Sequence, residues 1–103
     1  MPDLAYIVKL TAVPGRRDDA LAALGKLVDA AETEPGTLVY AMHADTTDPD
    51  VIWFYEHYAD QAAFDAHTGS ATMAEIGGAL AGLVAAPPDM RLLEIVRRKG
   101  EAG

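Results

Sequence analysis

Two residues of this chain, a histidine and a strand-borne glutamate, have the type and setting for acid–base chemistry near neutral pH. His67 ends a short helical segment whose Ala63 and Phe64 face a core, and Gly69 breaks the chain just after it. Two readings stand side by side there. The ring could satisfy the last carbonyls of its helix, which the helix dipole favours. It could instead take up and release protons at the edge of a cavity. Glu56 sits in a stretch otherwise made of Ile52, Trp53, Phe54, Tyr55 and Tyr58. A carboxylate is costly to bury in such company unless it is paired or hydrogen-bonded. It is either the partner of an Arg or Lys across a sheet or a pocket acid with a raised pKa. Trp53, Tyr55, Tyr58 and Phe64 offer flat faces that could wall a pocket for an aromatic guest, or simply form an aromatic core.

Several other chemistries are set aside by what is missing. The chain has no cysteine, which excludes disulfides, thiolate metal sites and cysteine nucleophiles. If the two central strands fold about Asp45–Asp50, His43 faces roughly Val51. His57 then lies some six residues further on, about 20 Å away at ~3.3 Å per residue, too far to share an ion. No metal site is expected. No glycine-rich phosphate loop and no serine in a nucleophile elbow is present, so no nucleotide cofactor is expected either. Sixteen acids against eight bases give a net charge of −8, a surface that repels nucleic acid and anionic membranes. Arg97, Arg98 and Lys99 read as a solvated basic tail. No leader pattern or bilayer-length apolar run is visible, and the expected compartment is the cytoplasm.

The elements that would position these residues follow from periodicity. Leu4 to Val13 has strand spacing and stops at Pro14-Gly15. Ala20, Leu21, Leu24, Leu27, Val28 and Ala31 mark a helix that must end before Pro35-Gly36. Thr37–Ala44 and Val51–Tyr58 read as a hairpin, Asp60 as the cap of a helix over Gln61–His67, and Ser70 as the cap of a helix running to Val84. Met90 to Arg98 closes the pattern as a fourth strand. The order βαββαβ is the ferredoxin-like split pattern in an α+β domain, with a four-stranded antiparallel sheet and helices on one face. One domain is expected over 1–103, with its core at about 4–98.

The strands do not alternate as a sheet with one wet face should. Ile52 and Phe54 oppose Val51, Trp53 and Tyr55, and Leu92 and Val96 oppose Leu93 and Ile95. Helices can cover only one of these sets. The other predicts a homodimer formed by pairing sheets face to face. The glycines of the long helix, Gly77, Gly78 and Gly82, suggest close backbone packing or space for a ligand beneath.

Pro14-Gly15, Glu34-Pro35-Gly36 through Tyr40, Phe54-Tyr55-Glu56-His57-Tyr58 and Ala62 to His67 together resemble the antibiotic biosynthesis monooxygenase (ABM) domain family, over Tyr6 to about Val96. The resemblance implies a dimeric α/β barrel with a ligand cleft between sheet and helices. It also implies a cofactor-independent monooxygenase that oxidises quinol-like or polyketide-like aromatics with O2. His67 matches the family's histidine on the split helix, Glu56 its glutamate on the third strand, and Tyr58 a position that is often Trp. Thr72-Met73 stands where quinol-oxidising relatives often carry His-Met. The haem-degrading branch of the superfamily is not matched at Val8, His67 or Gly77, so no haem is implied. The partners implied are a small aromatic substrate, O2 and a second copy of the chain. Two alternatives stay open: a non-catalytic ligand-binding dimer, and an isomerase acting on a small metabolite.

Overall fold

The computed structural model describes residues 3–99; the first two and last four residues of the expected domain lie outside the described residues. Among these, four strands and three helices follow the βαββαβ order: β1 (Leu4–Thr11), α1 (Arg17–Ala31), β2 (Thr37–Ala44), β3 (Val51–Tyr58), α2 (Gln61–Thr68), α3 (Ala71–Ala79) and β4 (Asp89–Glu94). The strands form one antiparallel sheet in the order β2-β3-β1-β4, the ferredoxin-like arrangement.

Local chemistry accounts for the element ends. Gly15 turns the chain after β1 at φ +81. α1 presents Ala20, Leu24, Leu27 and Ala31 to the sheet along one stripe, with Asp18 and Asp19 in its first turn. Asp60 caps α2 by accepting from the Ala63 amide at 2.9 Å, and Ser70 caps α3 by accepting from Met73 at 3.2 Å. Arg17 ties α1 to the hairpin by donating to the Asp45 and Asp48 carbonyls. The core joins Val8, Leu10, Leu24, Leu27, Ile52, Phe54 and Ile76, between the sheet's inner face and the helices.

Two element ends and the hairpin register are among the departures from the sequence pattern. α3 stops at Ala79, five residues short of Val84, because Gly82 takes a left-handed φ of +81 and Val84 then bridges to Ala12 at the end of β1. β4 stops at Glu94 rather than Arg98; beyond it Ile95 still donates to the Asp3 carbonyl at 3.0 Å. The hairpin register pairs His43 with Trp53, not Val51, so His57 lies four residues beyond that partner, roughly 13 Å along the strand. His57 instead packs against the chain ends. Its Nε2 lies 3.0 Å from Asp3 Oδ2, and an Arg98 guanidinium nitrogen is 3.1 Å from both ring nitrogens. An atom equidistant from both must lie over the face of the ring, stacked rather than bonded in its plane.

No helix among the described residues is long and apolar enough to cross a membrane.

Candidate active site

A cavity of about 360 Å3 lies between the sheet and the helices. Its floor is built from the inner faces of three strands, and register decides which side chains meet there. Glu56 on β3 has Tyr6 of β1 as its partner on one side and Tyr40 of β2 on the other. The row Tyr40–Glu56–Tyr6 therefore crosses the floor, with Val8 and Phe54 in the next row. Leu24 and Leu27 of α1 and Met73, Ile76 and Gly77 of α3 form the walls. Pro88 and Met90 make the rim, and Met90 is 48% exposed, so the cavity is open along β4. Apart from Glu56 and the two tyrosines, nearly everything that faces the space is hydrocarbon.

Glu56 is buried, and among the described residues it has no Arg or Lys partner. Among these residues the one hydrogen bond to its carboxyl comes from the Tyr58 hydroxyl, which donates to Oε1. Burial pushes the carboxyl up to about 7, opposed by the Tyr58 bond and reinforced by the nearby charge of Glu34. The pocket-acid reading is therefore the one the geometry favours over a cross-sheet ion pair. The same carboxyl acts on its neighbours. Burial first, and then the Glu56 charge, push Tyr6, Tyr40 and Tyr58 above the ordinary phenol range. These hydroxyls stay protonated: that of Tyr58 donates to Glu56, that of Tyr6 donates to Met90 Sδ at 2.7 Å, and that of Tyr40 can donate to whatever occupies the floor.

His67 is 2% exposed. It does not spend its nitrogens on the last carbonyls of α2. Nδ1 lies 2.7 Å from Glu34 Oε1, in the turn after α1, and Nε2 is buried without a hydrogen-bond partner among the described residues. Its ring packs on Tyr40 at 4.8 Å and Tyr58 at 5.7 Å between centroids. Tyr40 thus stands between the ring and the cavity, while Glu34 and His67 face a second cavity of about 390 Å3 beside Pro35, Gly36 and Ala66.

The four aromatic residues expected as walls divide by face. Trp53 and Tyr55 stand on the other side of the sheet, 36% and 39% exposed, because they alternate with Ile52, Phe54 and Glu56. Trp53 is held there by its Nε1, which donates to Asp45 Oδ2 at 2.8 Å, and by Lys9 over its ring. Tyr58 and Phe64 lie on the helix side but behind the floor: Phe64 packs edge-on against Tyr6 at 4.9 Å and Tyr58 at 5.4 Å. They support the lining rather than form it. Thr72 does not line the cavity, whereas Met73 does. The glycines of α3 are not there for close packing. A Cβ at Gly77 or Gly78 would meet open space, and Gly77 faces the cavity.

Sequence reasoning missed Tyr6, Tyr40 and Glu34. The two tyrosines share strand parity with core positions, Val8 and Leu10 in one case and Met42 in the other, which is the signal that would have placed them inward. Glu34 belongs to the Glu-Pro-Gly turn, but its contact with His67 spans 33 residues and leaves no local trace.

The sequence pattern described as antibiotic biosynthesis monooxygenase matches residues 4–77. No curated protein matches the chain. Among solved structures, a protein of unknown function from Nitrosomonas europaea is 29% identical, with all of this chain and 98% of the other covered and a TM-score of 0.81. A candidate antibiotic biosynthesis monooxygenase from Caulobacter crescentus shares 24% identity over 93% and 92% of the two chains, with a TM-score of 0.87. A protein from Pseudomonas aeruginosa is 24% identical over 94% and 97%, with a TM-score of 0.86. With nearly three-quarters of its length matched, this chain belongs to the antibiotic biosynthesis monooxygenase family.

Proposed function

We propose that the protein is a cofactor-independent monooxygenase that oxidises a quinol-like or polyketide-like aromatic with O2. The observation that carries this reading is the apolar cavity whose floor holds a single carboxyl poised to ionise near neutrality. A hydrocarbon-lined space of that size suits a flat aromatic, and a half-ionised Glu56 can accept the proton of a hydroxyl placed over it. The electron-rich anion then gives an electron pair to O2. A carbon–oxygen bond forms, and loss of water leaves a carbonyl. One oxygen atom stays on the substrate and the other departs as water, with all electrons supplied by the substrate. The hydrocarbon lining limits water around the anion, and the Tyr40 hydroxyl is a donor at the floor, whereas the Tyr6 hydroxyl donates to Met90 Sδ at 2.7 Å. In this scheme His67 is the second acid–base group, acting beside Tyr40.

The proposed unit is a homodimer. The outer face of the sheet leaves Trp53 and Tyr55 of β3 and Leu93 of β4 exposed, at 36%, 39% and 44%, in successive cross-strand rows that also hold Lys9, Ile7 and Ala5 of β1. A second copy laid on this face would bury them.

Oxygen uptake with a panel of quinols and anthrones tests the chemistry. The wild-type chain should consume O2, and His67→Ala should slow it by roughly 10²–10⁴-fold. Equal rates in the two would remove His67 from the mechanism. A second reading, a ligand-binding dimer without chemistry, is favoured by the placement of His67 behind Tyr40 rather than in the cavity wall. Tight binding of panel compounds with no uptake would select it.

A further inference from the structure

The His67 ring is buried and held by a carboxylate from outside its own helix. Glu34 Oε1 lies 2.7 Å from Nδ1 and also accepts from the Thr37 hydroxyl at 2.9 Å, so the carboxyl is itself held in place. A carboxylate can only accept, which places a proton on Nδ1. The groups that face the ring from the packed elements are Glu34 in the turn after α1, Tyr40 on β2 and Tyr58 on β3, the last bonded to Glu56. Neither tyrosine hydroxyl reaches Nε2, which is buried and unpartnered among the described residues.

The loop that carries Glu34 is fitted to α2 at two points. A side chain at Gly36 would collide with the Cβ of Ala63, so only glycine lets the turn come this close. Ala63 and His67 are one helical turn apart on the same face of α2. Gly36 against Ala63 and Glu34 against His67 are thus two contacts of one docked surface. The Glu34 side chain keeps 23% of its exposure and borders the second cavity, so solvent reaches the carboxyl while the ring stays dry.

We propose that Glu34 is the positioning residue of His67: it holds the proton on Nδ1 and leaves Nε2, on a ring that packs against Tyr40, as the atom that exchanges protons. The purpose of that exchange rests on the monooxygenase reading, but the tautomer does not. It can be read without any substrate.

The test is long-range 1H–15N correlation spectroscopy of the imidazole nitrogens in the intact, 15N-labelled protein. The neutral His67 ring should show a protonated Nδ1 and a bare Nε2, the reverse of the tautomer that free histidine prefers. Glu34→Ala should lose that pattern, and Thr37→Val, which keeps both partners, should retain it. A wild-type ring protonated on Nε2, or one that keeps both protons at every pH the fold tolerates, would overturn the proposal, as would an unchanged tautomer in a folded Glu34→Ala. If that variant does not fold, the wild-type spectrum decides alone. A chain with the Nδ1–H ring, its release in Glu34→Ala, and no oxygen uptake would keep this assignment and remove the monooxygenase reading. Uptake with the opposite tautomer would do the reverse.

Discussion

Because burial lifts the Glu56 carboxyl to about 7 from an ordinary 4.5, the folded chain holds that proton more tightly than the unfolded chain does. Between those two values the native state binds a proton that the unfolded state has released. Stability contributed by this group is therefore fully present below about 4.5 and is lost as pH rises through about 7. The loss is on the order of 3 kcal/mol for a buried group shifted this far. Glu56→Gln removes the titration, and the gap in stability between variant and wild type should move in the variant's favour as pH rises from about 5 to about 8. Urea midpoints at the two pH values check this; a constant gap would mean that the carboxyl is not raised. The identity of this acid was legible from its strand, since a lone glutamate among aromatics must be either paired or perturbed. Its companions were not. Tyr40, Tyr6 and Glu34 reach the site only through cross-strand register and a docked turn, and neither is written in local spacing.

At the scale of elements, the turn from α1 to β2 and the small-residue face of α2 form one joint. Gly36→Ala should cost about 1–3 kcal/mol, because the new methyl meets Ala63 Cβ rather than the end of a flexible chain. Ala63→Gly should recover part of that loss, and thermal melts of the two single variants and the double variant measure the coupling. On α3 the expectation runs the other way. Gly77→Ala and Gly78→Ala each enter open space and should raise stability by up to about 1 kcal/mol in denaturant titrations. Loss of stability there would show that the glycines are needed for packing. The starts of α2 and α3 were easily read, because Asp60 and Ser70 cap where such residues should. The end of α3 was not. Its apolar stripe continues past Ala79, and the left-handed turn at Gly82 together with the pairing of Val84 with Ala12 overrides that periodicity.

For the whole molecule, the two-sided apolar sheet was visible in strand composition, but which side the helices take was not. Period-two spacing sorts Trp53 and Tyr55 from Phe54 and Glu56 without saying which set faces inward. That ambiguity put two aromatics in the cleft that belong to the outer face. The same face yields a further expectation. Tyr55→Glu combined with Leu93→Glu adds like charges to a chain already at −8, and should shift a dimer to monomer in sedimentation velocity at micromolar concentration. Added salt should tighten the wild-type association by screening that charge. Unchanged sedimentation of the double variant would move the interface elsewhere.

The strand order has a consequence in time. β1 is made first, yet it sits inside the sheet, between β3 and β4, whose partner residues lie about 40 to 90 positions later in the chain. Until Val51–Tyr58 has been synthesised, β1 has no neighbour to pair with, and its apolar side chains must wait on α1 alone. Only the β2–β3 hairpin closes over a short loop. The rest of the sheet assembles across long loops, whose closure entropy must be met before their contacts form. Refolding should accordingly be set by the docking of β1 onto a preformed hairpin, with β4 completing the edge last.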